Sequence, residues 1–239
     1  MLRQMSATTY RTTLERVDVL SYNVKSFRLK LPPASPWAFE PGQFVIVHVP
    51  KDGATVKRAY SIASPSYDKG AVELCIQHVE QGAASTYFWK LKEGEPVTIS
   101  GPHGRFMLKQ PVTYEPVFMA TGTGVAPFRS MIKSLCCSNT LQPIWLLFGT
   151  RYEHSLLYDA EFRSLASMRH NFHYIPTVSR PKEWTGESGH IQQTFQKRFK
   201  DFANKEIYVC GWLQIVKDIV KDVQGFGVPP AQIHYEEWA

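Results

Sequence analysis

The sequence predicts two domains, an antiparallel β-barrel followed by an α/β domain built on a parallel sheet. Up to about residue 108, short runs of alternating apolar and polar residues are separated by turn residues, as in small barrels. From residue 116 onward, apolar strands alternate with helical segments, as in parallel sheets covered by helices. The rhythm changes within residues 108–115, which include Pro111. We therefore predict domains at residues 1–110 and 111–239.

The composition is typical of a globular protein. Of the 239 residues, 44% are hydrophobic and 20% are charged, which is sufficient for two buried cores. No apolar run reaches the roughly 18 residues of a membrane span. The polar N-terminus lacks the apolar segment of a signal peptide. We expect a cytoplasmic protein without a membrane span.

The net charge of +6 comes from scattered basic residues. No basic run is interleaved with aromatic residues, so we expect no nucleic-acid partner. The basic surface is either simply solvated or a docking face for an acidic protein. The four cysteines, Cys75, Cys136, Cys137 and Cys210, match neither zinc nor iron–sulfur spacing, and we expect no metal.

Alternating apolar residues predict the strands of the barrel. Turn residues interrupt the pattern at 32–36, 41–42 and 51–53. One helix is predicted after Gly82, with Ser85 near its start and Phe88 on its apolar face. The predicted strands are residues 14–19, 24–31, 43–49, 60–63, 72–79 and 96–100.

The second domain shows the alternation that a parallel sheet requires. Its predicted strands are residues 117–120, 144–148, 172–178 and 206–210, with a further candidate at 232–235. Its predicted helices are residues 126–137, 158–168, 190–200 and 213–223.

A glycine-rich turn joins the first strand and the first helix of this domain. Gly122, Thr123 and Gly124 follow the strand directly, so backbone N–H groups and a helix N-terminus meet there, as in phosphate sites. Pro127 replaces the third glycine of the dinucleotide fingerprint, and no acidic residue ends the next strand. The turn therefore differs from the usual dehydrogenase pattern.

Two further segments carry groups that suit an anion. Arg58 offers a charged fork, Tyr60 a flat ring, and Ser61 a hydroxyl group. Gly82 to Ser85 offers a second anion-binding turn at a helix start. Taken alone, the Arg58 segment is equally compatible with a surface arginine beside a core tyrosine.

The order of the motifs resembles that of the ferredoxin–NADP⁺ reductase superfamily, in the oxygenase-reductase type without an iron–sulfur domain. The resemblance covers about residues 10–239. Its most specific stretch is residues 120–130. The motifs in chain order are Arg-x-Tyr-Ser, Gly-x-x-Ser, Gly-Pro-x-Gly-x-Phe, Thr-Gly-Thr-Gly-x-Ala-Pro and Tyr-x-Cys-Gly.

The resemblance implies an FAD-binding barrel, an NAD(P)H-binding α/β domain and hydride transfer from NAD(P)H to the flavin. It places Cys210, Tyr60, Ser61 and Glu236 at the reacting centre. The implied flavin contacts are Arg58, Tyr60, Ser61, Cys75, Ile76, Gln77, Gly82, Ala84, Ser85, Thr123 and Trp238. The implied nucleotide contacts are Gly122, Thr123, Gly124, Pro127, Arg151, Ser179, Arg180, Cys210 and Gly211.

The chain departs from the family pattern at two places. Trp212 stands where the family usually has proline, and we expect its ring to narrow the nucleotide cleft. In the region that would bind the 2′-phosphate, Arg180 favours NADPH as the donor. Glu183 and Glu187 weaken the positive field there, so NADH remains an alternative donor.

The resemblance implies a reductase that passes single electrons to a separate acidic protein, such as a ferredoxin, a flavodoxin or an oxygenase component. The first alternative is an NAD(P)H:flavin reductase that uses diffusible flavin. The second is a non-catalytic electron-transfer or regulatory subunit that kept the fold. The identity of the acceptor and the oligomeric state are left open by the sequence.

Overall fold

A computed structural model describes residues 8–138 and 140–238. The outermost parts of the two predicted domains, residues 1–7 and 239, lie outside these ranges. Two six-stranded sheets make up the described structure. Within the described ranges, no helix is long and apolar enough to cross a membrane.

The first sheet is antiparallel, and its strand order is β4-β3-β6-β1-β2-β5. Its two edge strands meet where Ile62 bridges Leu74 and the Ala63 N–H donates to the Glu73 carbonyl at 2.8 Å. This contact closes the sheet, so the predicted barrel is confirmed. The strands are β1 (Thr8–Ser21), β2 (Val24–Lys30), β3 (Phe44–Lys51), β4 (Ala54–Ser61), β5 (Ala71–Gln77) and β6 (Pro96–His103).

The structure differs from the prediction most at β4. The sequence predicts a strand at 60–63, yet β4 begins at Ala54 and pairs with β3 along its whole length. Most side chains of β4 are exposed, so the strand shows no apolar alternation. The helix α1 (Ala83–Lys90) lies where the sequence predicts it and buries Ala84, Ser85 and Phe88.

The second sheet is entirely parallel, with the order β10-β9-β8-β7-β11-β12. Its strands are β7 (Glu115–Thr121), β8 (Ile144–Thr150), β9 (Phe172–Val178), β10 (Glu187–Ser188), β11 (Lys205–Trp212) and β12 (Ile233–Trp238). Its helices are α2 (Val125–Cys137), α3 (Asp159–Met168), α4 (Ile191–Arg198) and α5 (Leu213–Gly225). The predicted α/β architecture is confirmed, although the two-residue strand β10 is absent from the prediction and β12 runs on to Trp238.

One apolar core joins the two sheets. Val24, Ala63 and Cys75 of the barrel pack in the same buried cluster as Phe118 and Phe128 of the parallel sheet and its helix. Burial of apolar surface between the two layers holds the barrel against the α2 face of the sheet. The last barrel strand ends at His103 and the first parallel strand begins at Glu115. The exact boundary at residues 110 and 111 stays a prediction.

Candidate active site

The glycine-rich turn lies at the carboxyl edge of the parallel sheet, between β7 and α2. The chain runs from β7 outward through β8 and β9 and then returns to place β11 on the other side of β7. Such a reversal opens a crevice at the carboxyl ends of the strands, where ligands bind in open α/β sheets. Cys210 of β11 lies beside Ala120 of β7 in this register, directly next to the turn.

Glycine is required at two positions of this crevice for different reasons. A Cβ atom at Gly124 would lie 2.2 Å from the Cys210 carbonyl oxygen, so only glycine lets the turn approach β11 so closely. Gly122 has φ +53° and open space where a side chain would be. The turn is therefore pressed against β11 on one side and open on the other, where Thr123 is half-buried.

Cys210 is completely buried in the central part of the site. It lies between Ala120 of β7 and Glu236 of β12 in the strand register. Burial, reinforced by the nearby Glu236 carboxyl, raises the pKa of the thiol well above its ordinary value. The thiol therefore stays neutral, which suits a packing contact for a ring rather than a nucleophile.

Glu236 connects the parallel sheet to the barrel. The Ser61 hydroxyl at the end of β4 donates a hydrogen bond to Oε2 of Glu236 over 3.4 Å. Burial raises the pKa of Glu236 to about 7, and the bond from Ser61 opposes that rise. Glu236 thus changes its protonation state near neutral pH.

Two tryptophans lie side by side at the rim of this site. Trp212 at the end of β11 is the register partner of Trp238 at the end of β12. Trp238 is partly buried against the core shared by the two sheets, whereas 54% of Trp212 is exposed. Trp212 is therefore positioned at the mouth of the crevice, and the narrowing of the cleft by its ring stays a prediction.

On the barrel side, Arg58 and Tyr60 lie on the same strand as Ser61. The Arg58 guanidinium is exposed and donates to the carbonyl of its neighbour Lys57 at 2.9 Å. The Tyr60 ring is half-buried and meets Phe88 of α1 edge-on, with 6.0 Å between ring centroids. Burial raises the pKa of Tyr60 to about 12, so its hydroxyl stays protonated at neutral pH.

The start of α1 offers backbone N–H groups rather than a free side chain. The Ser85 hydroxyl accepts from the Val79 N–H and has two carbonyls within reach of its single proton, Val79 at 3.1 Å and Gly82 at 3.2 Å. Ala84 and Ser85 are both buried. No side chain caps the first turn, so its N–H groups and the helix dipole are available to an anion.

Strand β5 offers mainly its backbone. Cys75 and Ile76 are buried, in the shared core and the barrel core respectively, and Gln77 is exposed. Burial raises the pKa of the Cys75 thiol to about 12, so it is not an acid–base group.

The predicted 2′-phosphate residues lie two and three strands away from Cys210. The Arg180 N–H donates to the Arg151 carbonyl at 2.8 Å, and the Ser179 N–H donates to the Thr150 carbonyl at 2.9 Å. The backbones of the two arginines are therefore adjacent at the carboxyl ends of β8 and β9, and both residues are exposed there. Pro127, in contrast, is buried within α2 and has no N–H to donate.

The structure thus brings Ser61, Cys210 and Glu236 together and places Arg151 beside Arg180. It does not bring Pro127 to an accessible surface. No motif of the sequence predicts a role for Arg129, although one local signal marks it. Arg129 interrupts the apolar stripe of α2 at a helical position where burial is expected, four residues after Val125.

The donor set fits a flavin nucleotide and a nicotinamide nucleotide. A guanidinium and an uncapped helix start suit a diphosphate, and the ring of Tyr60 suits a planar heterocycle. The open side of the Gly122 turn suits a second phosphate-bearing ligand. Over residues 8–138 and 140–238, no three His, Cys, Asp or Glu side chains are grouped as metal ligands, and the expectation of no metal stays a prediction.

Two family models match the chain in the order of its two sheets. An oxidoreductase FAD-binding domain matches residues 11–108, and an oxidoreductase NAD-binding domain matches residues 118–221. These matches support the assignment of the barrel to FAD and of the parallel sheet to the nicotinamide nucleotide.

Several curated proteins are similar to the chain over most of its length. Ferredoxin–NADP reductase B of Sorangium cellulosum is 31% identical, over 98% of this chain and 99% of that protein. The toluate 1,2-dioxygenase electron transfer component of Pseudomonas putida is 29% identical, over 96% of this chain and 68% of that protein. An NAD(P)H-flavin reductase of Aliivibrio fischeri is 30% identical, over 83% and 84% of the two chains.

Solved structures share the fold. The Amycolatopsis cytochrome P450 reductase GcoB superposes with a TM-score of 0.88 and 25% identity, over 97% of this chain and 70% of that chain. A Neisseria gonorrhoeae ferredoxin NADP⁺ reductase with bound FAD and NADP superposes with a TM-score of 0.85 and 20% identity, over 98% and 99% of the two chains.

Proposed function

We propose that this chain, which belongs to the ferredoxin–NADP reductase-like superfamily and is an FAD-dependent NAD(P)H oxidoreductase, delivers electrons from NAD(P)H to a separate acidic protein. The observation that carries the proposal is the contact between Ser61 and Glu236, which joins the flavin strand of the barrel to the nucleotide edge of the sheet. A hydride donor and its acceptor must meet at such a junction.

Bound FAD supplies the ability to accept a hydride and to release electrons singly. The chain supplies placement and electrostatics. Arg58 and the start of α1 bind the flavin phosphates, and Tyr60 packs against the ring. The Gly122 turn binds the nucleotide phosphate with its backbone N–H groups. These residues would hold the two ligands, and hydride transfer would require them to bring the reacting atoms within roughly 3–3.5 Å.

Cys210 orients the nicotinamide ring. Its thiol next to the turn is neutral, small and polarisable, and because it is fully buried, the ring would reach it only after the side chains that cover it move. We expect Cys210→Ala to slow flavin reduction in a single turnover about ten-fold, because the ring loses its lateral support, with FAD content unchanged.

The matched control is Cys136→Ala, a second buried cysteine that lies on α2. It is expected to leave the rate of flavin reduction unchanged. Wild-type rates in both variants would remove Cys210 from the mechanism.

Glu236 exchanges protons between the flavin edge and solvent. A pKa of about 7 lets the carboxyl gain and lose a proton at neutral pH, and its bond with Ser61 fixes it at the barrel. We expect the pH profile of acceptor reduction to contain an ionisation near pH 7 that is absent in Glu236→Gln.

NADPH is the proposed donor. Arg151 and Arg180 are held side by side by a backbone hydrogen bond, and a pair of guanidinium groups suits a phosphomonoester. Glu153 accepts hydrogen bonds from the N–H groups of Lys182 and Glu183, which pins this loop next to the arginines.

The acceptor is a protein with an acidic surface, namely a ferredoxin, a flavodoxin or an oxygenase component. The chain carries a net charge of +6, which attracts an acidic partner. Relatives named as a ferredoxin–NADP reductase and as a dioxygenase electron transfer component support this class of acceptor. Reduction of an acidic ferredoxin is expected to slow as ionic strength rises.

The second candidate is an NAD(P)H:flavin reductase. It is favoured by the similarity to the Aliivibrio fischeri NAD(P)H-flavin reductase. The two functions differ in whether flavin stays bound during turnover.

The deciding experiment is an anaerobic visible spectrum of the purified protein before and after NADPH or NADH is added. A yellow protein that one nucleotide bleaches, and that then reduces a ferredoxin, supports the proposal. A colourless protein that consumes NAD(P)H only when free flavin is supplied supports the flavin-reductase function instead.

A further inference from the structure

Arg129 is a buried cation at the junction of the barrel and the parallel sheet. It lies in α2, five residues after the last glycine of the Gly122–Gly124 turn, and its side chain is 7% exposed. A charge is seldom buried unless it is paired, so its partners indicate what it does.

The guanidinium group binds both sides of the junction. Its Nε and Nη2 donate to the Glu161 carboxylate of α3, within its own domain, at 2.9–3.1 Å. Its Nη1 donates across the junction to Glu73 of β5 and to the Ala63 carbonyl, both at 2.9 Å. One planar fork therefore holds three partners: Glu161 of α3, Glu73 of β5 and Ala63 of the segment that follows β4.

The barrel partners lie where the barrel closes. The Ala63 N–H bonds to the Glu73 carbonyl, beside the bridge between Ile62 and Leu74. Ala63 is two residues beyond Ser61, which binds Glu236. Arg129 thus donates a hydrogen bond to the backbone directly after the flavin strand β4.

The other end of Arg129 is fixed relative to the nucleotide turn. Its backbone belongs to the helix that begins at Val125, directly after that turn. Tyr158 lies against the guanidinium at 4.4 Å from the ring centroid, which fixes its plane. Burial alone would lower the pKa of Arg129, but Glu73 and Glu161 raise it above its ordinary value, so the group is always charged.

We propose that Arg129 is a positioning residue that sets the separation between the flavin strand and the nucleotide turn through its bond to Glu73. This inference rests on the proposed function, because the separation matters only if a hydride crosses it. An error of about 1 Å in such a geometry costs on the order of a hundred-fold in rate.

The two acids provide a matched pair of variants. Glu73→Gln removes the charged contact across the junction, and Glu161→Gln removes the charged contact within the α/β domain. Each variant is isosteric and leaves Arg129 with one carboxylate. We expect Glu73→Gln to slow single-turnover flavin reduction by NADPH at least ten-fold, while Glu161→Gln stays within about two-fold of wild type.

The concentration of NADPH that half-saturates the reduction is expected to be unchanged in Glu73→Gln, because the nucleotide contacts themselves are intact. Equal rates for the two variants would overturn the proposal, because of the two acids only Glu73 connects Arg129 to the barrel. If Glu73→Gln does not fold, Arg129→Lys takes its place, because an ammonium keeps the charge but cannot span three partners. A wild-type rate in that variant would also overturn the proposal.

Hydrogen exchange of the purified protein gives a readout that is independent of activity. Glu73→Gln is expected to speed exchange at the Ala63 amide and in the first turn of α2, and Glu161→Gln in the first turn of α3 alone. Unchanged exchange at Ala63 in Glu73→Gln would overturn the proposal. If the wild type is not reduced by NADPH, the proposed function fails, and the exchange experiment still shows whether Arg129 couples the two sides.

Discussion

Two clusters with buried acids lie at the junction of the barrel and the sheet, and they differ in how their carboxylates are paired. In the Arg129 cluster, Glu73 accepts hydrogen bonds from Arg129 and from the Ser26 hydroxyl at 2.7 Å. In the Glu236 cluster, the hydrogen bond from Ser61 joins the carboxyl to the barrel, and burial raises the pKa of Glu236 to about 7. The first cluster pairs its carboxylates with a guanidinium group, whereas the second holds a carboxyl whose pKa lies near neutral pH.

This difference suits the two clusters to different roles, the Arg129 cluster to holding the two layers together and the Glu236 cluster to exchanging protons. A fully paired buried charge holds the same state over the physiological pH range, so it can position two layers. A buried carboxyl without a cation changes state near neutral pH, so it can move protons but contributes less to stability when ionised. Glu237 next to it also has a buried Oε2 that lacks a partner among the described residues.

The largest expected change in the free energy of unfolding comes from removing the cation of the Arg129 cluster. Arg129→Met would leave Glu73 and Glu161 without their guanidinium, and we expect it to lower the free energy of unfolding by about 3–5 kcal/mol. Urea denaturation of the flavin-free protein at pH 8 measures the change.

The control is Arg163→Met, which breaks the exposed pair of Arg163 with Asp159. Its cost is expected to stay below about 1 kcal/mol. A similar decrease in the free energy of unfolding in both variants would show that burial does not distinguish the two ion pairs.

In the Glu236 cluster, a substitution is expected to raise the free energy of unfolding rather than lower it. The folded-state pKa of Glu236 is about 7, above its ordinary value of 4.5, so its contribution to stability is full below about pH 4.5 and is lost as pH rises through 7. Glu236→Gln removes this loss. We expect the variant to be about 2 kcal/mol more stable than wild type at pH 8 and equal to it at pH 4.

Denaturation midpoints between pH 4 and 8 measure this difference. Glu93→Gln is the control, because Glu93 is exposed on the turn before β6. A Glu236→Gln variant that is less stable than wild type at pH 8 would contradict the distinction between the clusters.

The smallest effect concerns Ser61. Its hydrogen bond opposes the rise in the pKa of Glu236, so Ser61→Ala is expected to move the pH-dependent loss of stability to higher pH. The change in free energy of unfolding should stay near 1 kcal/mol. In a Glu236→Gln background, Ser61→Ala should have no pH-dependent effect, which a double-mutant cycle tests.

The sequence was informative wherever a local pattern reflects burial. The parallel strands and their helices were predictable because apolar residues recur with the period of each element. Strand β4 was mostly missed because its side chains face solvent and its place depends on pairing with β3. The extent of β12 likewise depends on pairing with β11, where polar residues such as Glu236 lie in register with Cys210.

The site was predictable in part, through the resemblance of ordered motifs. Its electrostatics were not. The two acidic partners of Arg129, Glu73 and Glu161, are 56 and 32 residues away from it in sequence. The contact of Ser61 with Glu236 spans 175 residues. No local rule connects residues at such distances, so the roles of paired and unpaired acids required the tertiary structure.

The fork of Arg129 also constrains how this sequence can diverge. A descendant that lost the arginine first would leave the buried Glu73 without its cation and Glu161 with Lys133 alone, and one that lost an acid first would leave the arginine partly unpaired. Because each single step is unfavourable, the three positions are expected to change together or through a polar intermediate. In a lineage that descends from this chain, residues 73, 129 and 161 should therefore show strong epistasis, whereas the coupling between the more exposed Arg163 and Asp159 should be weaker.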